Sequence, residues 1–444
     1  MRSSTGSSGR RKPGRVMFLR SSSMDCIIVG GGGAGFQAAA TCRSVWPDRT
    51  VTLIDAENEC GYYRTLLPQF MVGALPEERL FIPCRTDDPL LRVRTGVRVK
   101  TLDRKGNRLT LDNGETLIYD RLILAHGGAP YLPGILAGPP CEGVFPVRDL
   151  TTARATRAWL AGHRQVIVFG GSLVGVKTAV HLKAAGFEVS LVVRRGHILL
   201  RALSPEAARV VETHLVKMGI SLFVNSPLEE LRVEQGAITA LKAGGKWIPG
   251  NTLLVAAGTA PDTSFLEGTG LLTDGRLIVS PTLQTADPRI FAAGDVAVIA
   301  HATGERISPN TWPQAVSQGR LAAENLYRNP PLPHRDLTRV NAMELHGLPM
   351  VILGPPVDGA EVIAYARPEE SVRRELFLVG GKPIGGSLIG DISAAGTLHA
   401  LIGAGREINT GDASLLKPTG NVIRFQEQPG RKAVLILSSK RVSK

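Results

Sequence analysis

Two stretches of the chain share one local pattern: an apolar run, a glycine-rich turn and the start of an apolar helix. The first is DCIIVGGGGAGFQAAA, residues 25–40, and the second is QVIVFGGSLVGVKTAV, residues 165–180. A short run rich in Ile and Val reads as a strand buried on both faces, which parallel sheets require. The glycines let the backbone turn tightly and bring N–H groups and a helix N-terminus against a pyrophosphate. One such turn is a weak signal. Two of them, about 140 residues apart at Gly30 and Gly170, predict two nucleotides, a flavin and a nicotinamide, meeting at a shared site.

The first turn has glycine at its three special positions, Gly30, Gly32 and Gly35, with Gly33 and Ala34 between them. Gly30 makes the tight turn, Gly32 leaves space for phosphate, and Gly35 lets helix and strand touch. After the helix, TVTLIDAE reads as a second strand ending at Asp55. That carboxylate lies about 20 residues past the last glycine, where an acceptor for ribose hydroxyls belongs.

The second turn keeps Gly170 and Gly175 but carries Ser172 in the middle position. Serine is small enough to leave a phosphate room. The next strand, in EVSLVVRRGHIL, is expected to end at Val193, which puts Arg194 and then Arg195 where an acid would receive the ribose. A guanidinium there binds a 2′-phosphate through paired hydrogen bonds, with Arg201 close by. The sequence thus favours NADPH over NADH, against the alternative of a solvated basic loop.

At 444 residues the chain is long enough for two to four domains, and 43% hydrophobic with 20% charged residues is ordinary for a globular protein. No run of 18 apolar residues lacks polar or glycine interruption, so no membrane span is expected. Of the net charge of +13, six basic residues sit in residues 1–23, a segment without acids. That segment lacks the apolar stretch of a secretory signal. It reads as a disordered basic tail, a transit-like segment, or residues upstream of a natural start at Met24. No basic stripe interleaved with aromatics appears, so nucleic acid is not an expected partner. The five cysteines, Cys26, Cys42, Cys60, Cys84 and Cys141, include no Cys-x-x-Cys and no wider redox pair, which points to reduced thiols and a cytoplasmic setting. Cys60 is the one expected near the flavin. The nine histidines show no metal-ligand spacing.

Further segments carry a resemblance. YDRLILAHGGAPYLPG (residues 119–134, with Ala125 and Gly127) looks like the exit from a flavin domain. TLLVAAGTAPDTSFL (252–266, with Gly258) looks like the return from a nicotinamide domain. RIFAAGDVAVI (289–299) resembles the second flavin motif, with Gly294 and Asp295. NTWPQAVSQGRLAAENL (310–326) resembles the helix whose N-terminus faces the flavin pyrimidine ring. In this order, from residue 24 to about 330, the chain is similar to the pyridine nucleotide-disulfide oxidoreductase family, without its redox disulfide. GYYRTLLPQFMVG (61–73) resembles a segment of NADH-rubredoxin reductases and of the flavin module of NAD(P)H nitrite reductases, with Thr65 in place of the usual proline. Residues 340–354 and 376–402 resemble the small C-terminal domain of that subgroup, which often packs a dimer.

The resemblance implies an α/β fold with two Rossmann-like dinucleotide-binding domains, one inserted in the other, and a small α+β C-terminal domain. The expected boundaries are 24–150 with 281–330 for FAD, 151–280 for NAD(P), 335–425 for the third domain and a basic tail at 426–444, with a proline-rich linker from Asn329. It implies bound FAD, reduced by NAD(P)H and oxidised by an electron-carrier protein such as rubredoxin, ferredoxin or an iron-sulfur subunit. Asp295 is expected on the ribityl hydroxyls and Arg64 near the flavin phosphate or ring. Lys177 stands where relatives usually carry glutamate, near the nicotinamide, and is the candidate catalytic residue through its charge; an ion pair or a solvent-facing lysine are the alternatives. An NAD(P)H oxidase or peroxidase and a non-catalytic flavin-binding subunit are the competing functions.

Overall fold

A computed structural model describes residues 25–83, 87–136, 138, 141–300, 306–308, 311–334, 340–408 and 416, and the backbone of 422–428 and 431–438. The basic segment 1–23, Met24, Cys84, Asn310, part of the linker after Asn329 and the last residues 439–444 lie outside the described residues.

The apolar run CIIV forms the central strand Cys26–Val29 of a five-stranded parallel sheet, buried at all four positions. It pairs with Val51–Ile54 on one side and Arg121–Leu124 on the other. Leu91–Arg94 and Ile290–Ala292 form the two edges. The strands that follow the first glycine turn therefore lie to either side of it, which opens a crevice at the carboxyl end of Cys26–Val29. The helix Gly33–Val45 covers one face.

The second glycine turn repeats this arrangement. Gln165–Phe169 lies between Glu188–Val192 and Thr252–Val255 in a second five-stranded parallel sheet, completed by Ser221–Phe223 and Val144–Pro146. The chain leaves the first sheet after Arg121–Leu124, builds the second, and returns to the first with Ile290–Ala292. Outgoing and returning segments meet as an antiparallel ribbon in which Gly128–Pro130 pairs with Thr259–Pro261.

A third sheet is antiparallel, in the order Val340–Glu344, Pro349–Leu353, Lys382–Ile389, Val372–Val379, Glu361–Arg367. Strand alternation gives it two apolar faces. On one, Leu398 and Leu401 of the helix Ala395–Ala404 pack against Leu353, Leu376 and Leu388. On the other, Met350 and Ile352 join Val211 and Leu215 of the helix Pro205–Lys217, so this sheet shares a core with the second unit. Ser204 caps that helix by accepting from the Ala207 N–H, and its hydroxyl donates to the fully buried Glu375 carboxylate at 2.8 Å. Arg373 also binds Glu375, at 2.7 Å. Beyond this sheet Val422–Gln428 and Arg431–Ser438 pair as a hairpin, so the second strand lies within the segment expected as a basic tail.

The helix Trp312–Asn325 packs across Gly33–Val45 at a contact that only glycine permits. A Cβ on Gly319 would lie 2.0 Å from the Ala34 carbonyl oxygen. Gly319→Ala is therefore expected to destabilise the fold by about 1–3 kcal/mol through overpacking. Gly403, in a helix with no atom within 4 Å of such a Cβ, should tolerate alanine or gain up to about 1 kcal/mol. Urea unfolding of the two variants tests the contrast, and equal stability of both would contradict the packing account.

Candidate dinucleotide site

The two glycine turns are built alike. Gly30 and Gly170 have φ of +102° and +132°, in the region that favours glycine. A Cβ on Gly35 would stand 1.7 Å from the Gly30 carbonyl oxygen, and one on Gly175 would stand 1.9 Å from that of Gly170. Each helix thus starts in direct contact with the strand that feeds it.

The middle position differs. Gly32 is open, with Arg64 Nε the one neighbour, 3.8 Å from where its Cβ would be. Ser172 instead turns its hydroxyl toward the sheet, donating to the Ala256 carbonyl at 3.1 Å and capping its helix at Gly175. Its side chain is satisfied within the fold rather than aimed outward.

A cavity of about 410 Å³ extends from the first glycine turn. Gly30, Gly32, Gly33, Ala34, Asp55, Arg64, Ala125, Gly127, Gly294 and Asp295 all border it, although they come from four separate parts of the chain. Gly35 lies buried beneath it. Asp55 is buried and accepts from the Gly31 N–H at 2.8 Å and the Glu57 N–H at 3.1 Å. Burial holds its carboxyl above the ordinary value, and the two N–H donors oppose that shift. Gly294, at φ +78°, donates its N–H to the buried Gln318 side chain at 2.8 Å and so presents Asp295 at the other end.

Several lining residues carry no sequence signal of the kind used above. Gly31 is one: a Cβ there would meet Asp55 Oδ2 at 2.5 Å and Cys60 Cβ at 2.3 Å. A four-glycine run marks the turn but does not single out Gly31. Arg148 is another. It follows the strand Val144–Pro146, and its guanidinium lies 3.9 Å from Asp295. Burial, with Arg64 close by, holds its pKa below the ordinary arginine range. Arg64 is tightly held by comparison, paired with Glu57 at 2.5 Å and donating to Tyr62 at 2.8 Å and to the Arg148 carbonyl at 3.1 Å. Arg148 is therefore the less committed of the two cations. Trp312 covers Gly33, whose Cβ would lie 2.9 Å from its ring, and packs on Tyr63 at 5.5 Å. His126 packs edge-on against Phe265 at 5.0 Å. Burial pushes its pKa down to about 4, with the nearby Asp262 opposing the shift, so it is neutral at pH 7.

The remaining candidates cluster at the second turn. Asp55 follows Ile54, the partner of Val29, while Val193 follows Val192, the partner of Phe169. The position equivalent to Asp55 is thus Val193, and Arg194 stands one residue later than the sequence reading placed it. A Cβ on Gly171 would meet Val193 at 2.8 Å, as one on Gly31 would meet Asp55. The strand ends at Val192; Val193 just beyond it is still buried, whereas Arg194 and Arg195 in the following turn are exposed. Gly258, at φ +108°, opens the ribbon strand Thr259–Pro261. Lys177 is half-buried and donates to the Thr65 carbonyl at 3.3 Å. Val174, on the same helix, borders the large cavity.

Among the described residues, no cluster of His, Cys, Asp or Glu could hold a metal, and no helix is long and apolar enough to cross a membrane. Cys26, Cys42, Cys60 and Cys141 form no disulfide among the described residues.

Comparison with known proteins agrees with this architecture. An NADH oxidase of Methanocaldococcus jannaschii is 28% identical over 85% of this chain and 90% of its own length. The ferredoxin–NAD(+) reductase component of the anthranilate 1,2-dioxygenase system of Burkholderia cepacia is 29% identical over 68% of this chain and 75% of its own. Among solved structures, an engineered, NADPH-bound form of the water-forming oxidase of Lactobacillus brevis superposes with a TM-score of 0.78. It is 21% identical, and the match covers 86% of this chain and 92% of that one. The profile of the pyridine nucleotide-disulphide oxidoreductase family matches residues 24–319, and the chain belongs to that family.

Proposed function

We propose that the chain is an NAD(P)H-dependent FAD oxidoreductase that passes electrons to a small carrier protein or partner subunit. The observation that carries this reading is one shared cavity. It runs from Asp55 to Asp295 and is bordered by Val174 on the helix of the second glycine turn. A flavin in the first site and a nicotinamide at the second turn would meet there. Residues 24–150 with 281–330 hold FAD in this reading, 151–280 hold the nicotinamide, and 335–425 form the third domain. In this reading the protein works in a reducing, cytoplasmic setting, which suits cysteines that form no disulfide among the described residues.

The residues present fit FAD. Gly30, Gly31 and Gly35 keep the turn tight, since a Cβ on any of them would collide with neighbouring protein atoms, and Gly32 leaves open space at the cavity. Asp55 keeps acceptor capacity for ribose hydroxyls beyond its two N–H donors. Arg148 offers a loosely held cation, Asp295 an acceptor for ribityl hydroxyls, and Arg64 a guanidinium over the open Gly32. When bound, the flavin supplies two-electron hydride acceptance and one-electron delivery. The side chains bind and orient, and Trp312 and Tyr63 cover the glycine turn.

A carrier protein is favoured as acceptor over oxygen. The Burkholderia relative is a ferredoxin reductase component. An oxidase or peroxidase wants a reactive thiol at the flavin, whereas Cys60 packs on Gly31 beside Asp55, the expected ribose acceptor. The Methanocaldococcus relative, an NADH oxidase, keeps oxygen as the second reading. Purified protein is expected to be yellow and to release FAD on denaturation. After anaerobic reduction by NAD(P)H, an iron-sulfur carrier or rubredoxin should reoxidise it at least about tenfold faster than air-saturated buffer. Colourless protein that takes up no FAD defeats the assignment, and equal or faster reoxidation by oxygen favours the oxidase.

NADPH is the favoured donor. The exposed Arg194 and Arg195 form no ion pair among the described residues, and the Asp55-equivalent position holds the apolar Val193, which cannot repel a 2′-phosphate. In the NADPH-bound Lactobacillus oxidase an aspartate has been replaced by alanine and the alanine after it by arginine, the same apolar-then-arginine order. Each charge-assisted hydrogen bond is worth about 1.5–3 kcal/mol when well formed. NADPH should therefore half-saturate flavin reduction at a lower concentration than NADH, Arg194→Glu should erase the gap, and high salt should narrow it. Stopped-flow reduction measures this, and an NADH preference in the wild type overturns it without touching the flavin assignment.

A further inference from the structure

Lys177 lies where the second glycine helix meets the first unit. Its ammonium donates to the carbonyl of Thr65, which borders the large cavity. Val174, three residues earlier on the same helix, borders that cavity too. Residues i and i+3 share a helix face, so Lys177 stands at the cavity rim beside the second turn. Among the described residues no carboxylate pairs with it, and burial lowers its pKa from the ordinary lysine value. His181, one turn further, is held below its usual value by burial first and then by Lys177, with Glu344 opposing and His346 assisting. Glu344 is engaged by the Gly347 N–H. The rim therefore carries a half-buried cation without a paired acid.

Resting on the nicotinamide reading above, we propose that Lys177 makes the hydride-donor site select on charge, favouring the neutral reduced nicotinamide over the cationic oxidised ring. When NAD(P)H gives up a hydride to the flavin, its C4–H bond breaks, both electrons of that bond leave with the hydrogen, and the ring becomes a cation. A fixed ammonium nearby repels that product but not the substrate. At short range in a partly desolvated site this repulsion survives solvent screening. Lys177 thus assists product release and opposes the reverse transfer. A tether between two units, the bland role of the Thr65 hydrogen bond, has no such dependence on nicotinamide charge.

The test measures binding rather than turnover. FAD-loaded wild type, Lys177→Arg, Lys177→Gln and Lys177→Glu are titrated calorimetrically with NADP+ and with the neutral, non-reducing tetrahydro analogue of NADPH. Wild type and Lys177→Arg are expected to bind the neutral analogue more tightly. That preference should shrink about threefold in Lys177→Gln and about tenfold in Lys177→Glu, as removal and inversion of one close charge imply. A preference within twofold of wild type in both variants overturns the inference, even if FAD retention or stability changes. If neither variant keeps FAD, the wild type decides, and equal affinity for the two ligands overturns it. Binding of neither ligand by the wild type overturns it together with the nicotinamide reading, whereas unchanged selectivity in variants still reduced by NADPH overturns it alone.

Discussion

The contact between a glycine and the carbonyl five residues before it governs much of this molecule. The Gly30 oxygen occupies the space a Gly35 side chain would need, and the Gly170 oxygen does the same to Gly175. With no Cβ between them, helix and strand pack backbone to backbone. The helix N-terminus then sits at the carboxyl end of the central strand, its free N–H groups turned toward the crevice. The remaining features are arranged around that geometry. Asp55 is drawn onto the Gly31 N–H, Gly319 lets a second helix lie on Ala34, and Trp312 closes over Gly33.

The electrostatics of the large cavity follow from unequal pairing. Arg64 is held by Glu57 and Tyr62, whereas the one ion pair of Arg148 among the described residues is the longer contact to Asp295. Removing charge from water is costly unless a partner compensates. Burial of Arg148 with so little compensation marks the region as one suited to a bound anion. Lys177 repeats the theme at the rim, with no paired acid among the described residues. His126 does not add to this positive balance, because its surroundings keep it neutral.

The sequence made the repeating parts legible and left the convergent parts hidden. Gly30, Gly35, Gly170 and Gly175 were readable because strand, turn and helix lie consecutively, so their roles are written in local spacing. Asp55 was readable for the same reason. Arg194 was placed one residue early, since an apolar run such as LVV does not say which residue ends the paired strand; only the register of Val192 against Phe169 does. That Gly31 must lack a side chain was invisible because the obstacle, Cys60, belongs to a later loop. Arg148 and His126 reach the cavity through contacts between distant parts of the chain. Ser204 and Glu375 are 171 residues apart, and nothing in either segment announces the other.

That last pair has a mechanical consequence. The hydroxyl that caps the helix Pro205–Lys217 is also bound to a buried carboxylate of the third sheet, and Leu215 shares a core with Met350. Separating these two parts would break the Ser204–Glu375 hydrogen bond and expose an apolar face at once. The third sheet is therefore tied to the second unit, and that unit is tied to the first not only through the ribbon of Gly128–Pro130 and Thr259–Pro261 but also through Arg154 on Glu59 and Glu77 and through Lys177 on Thr65.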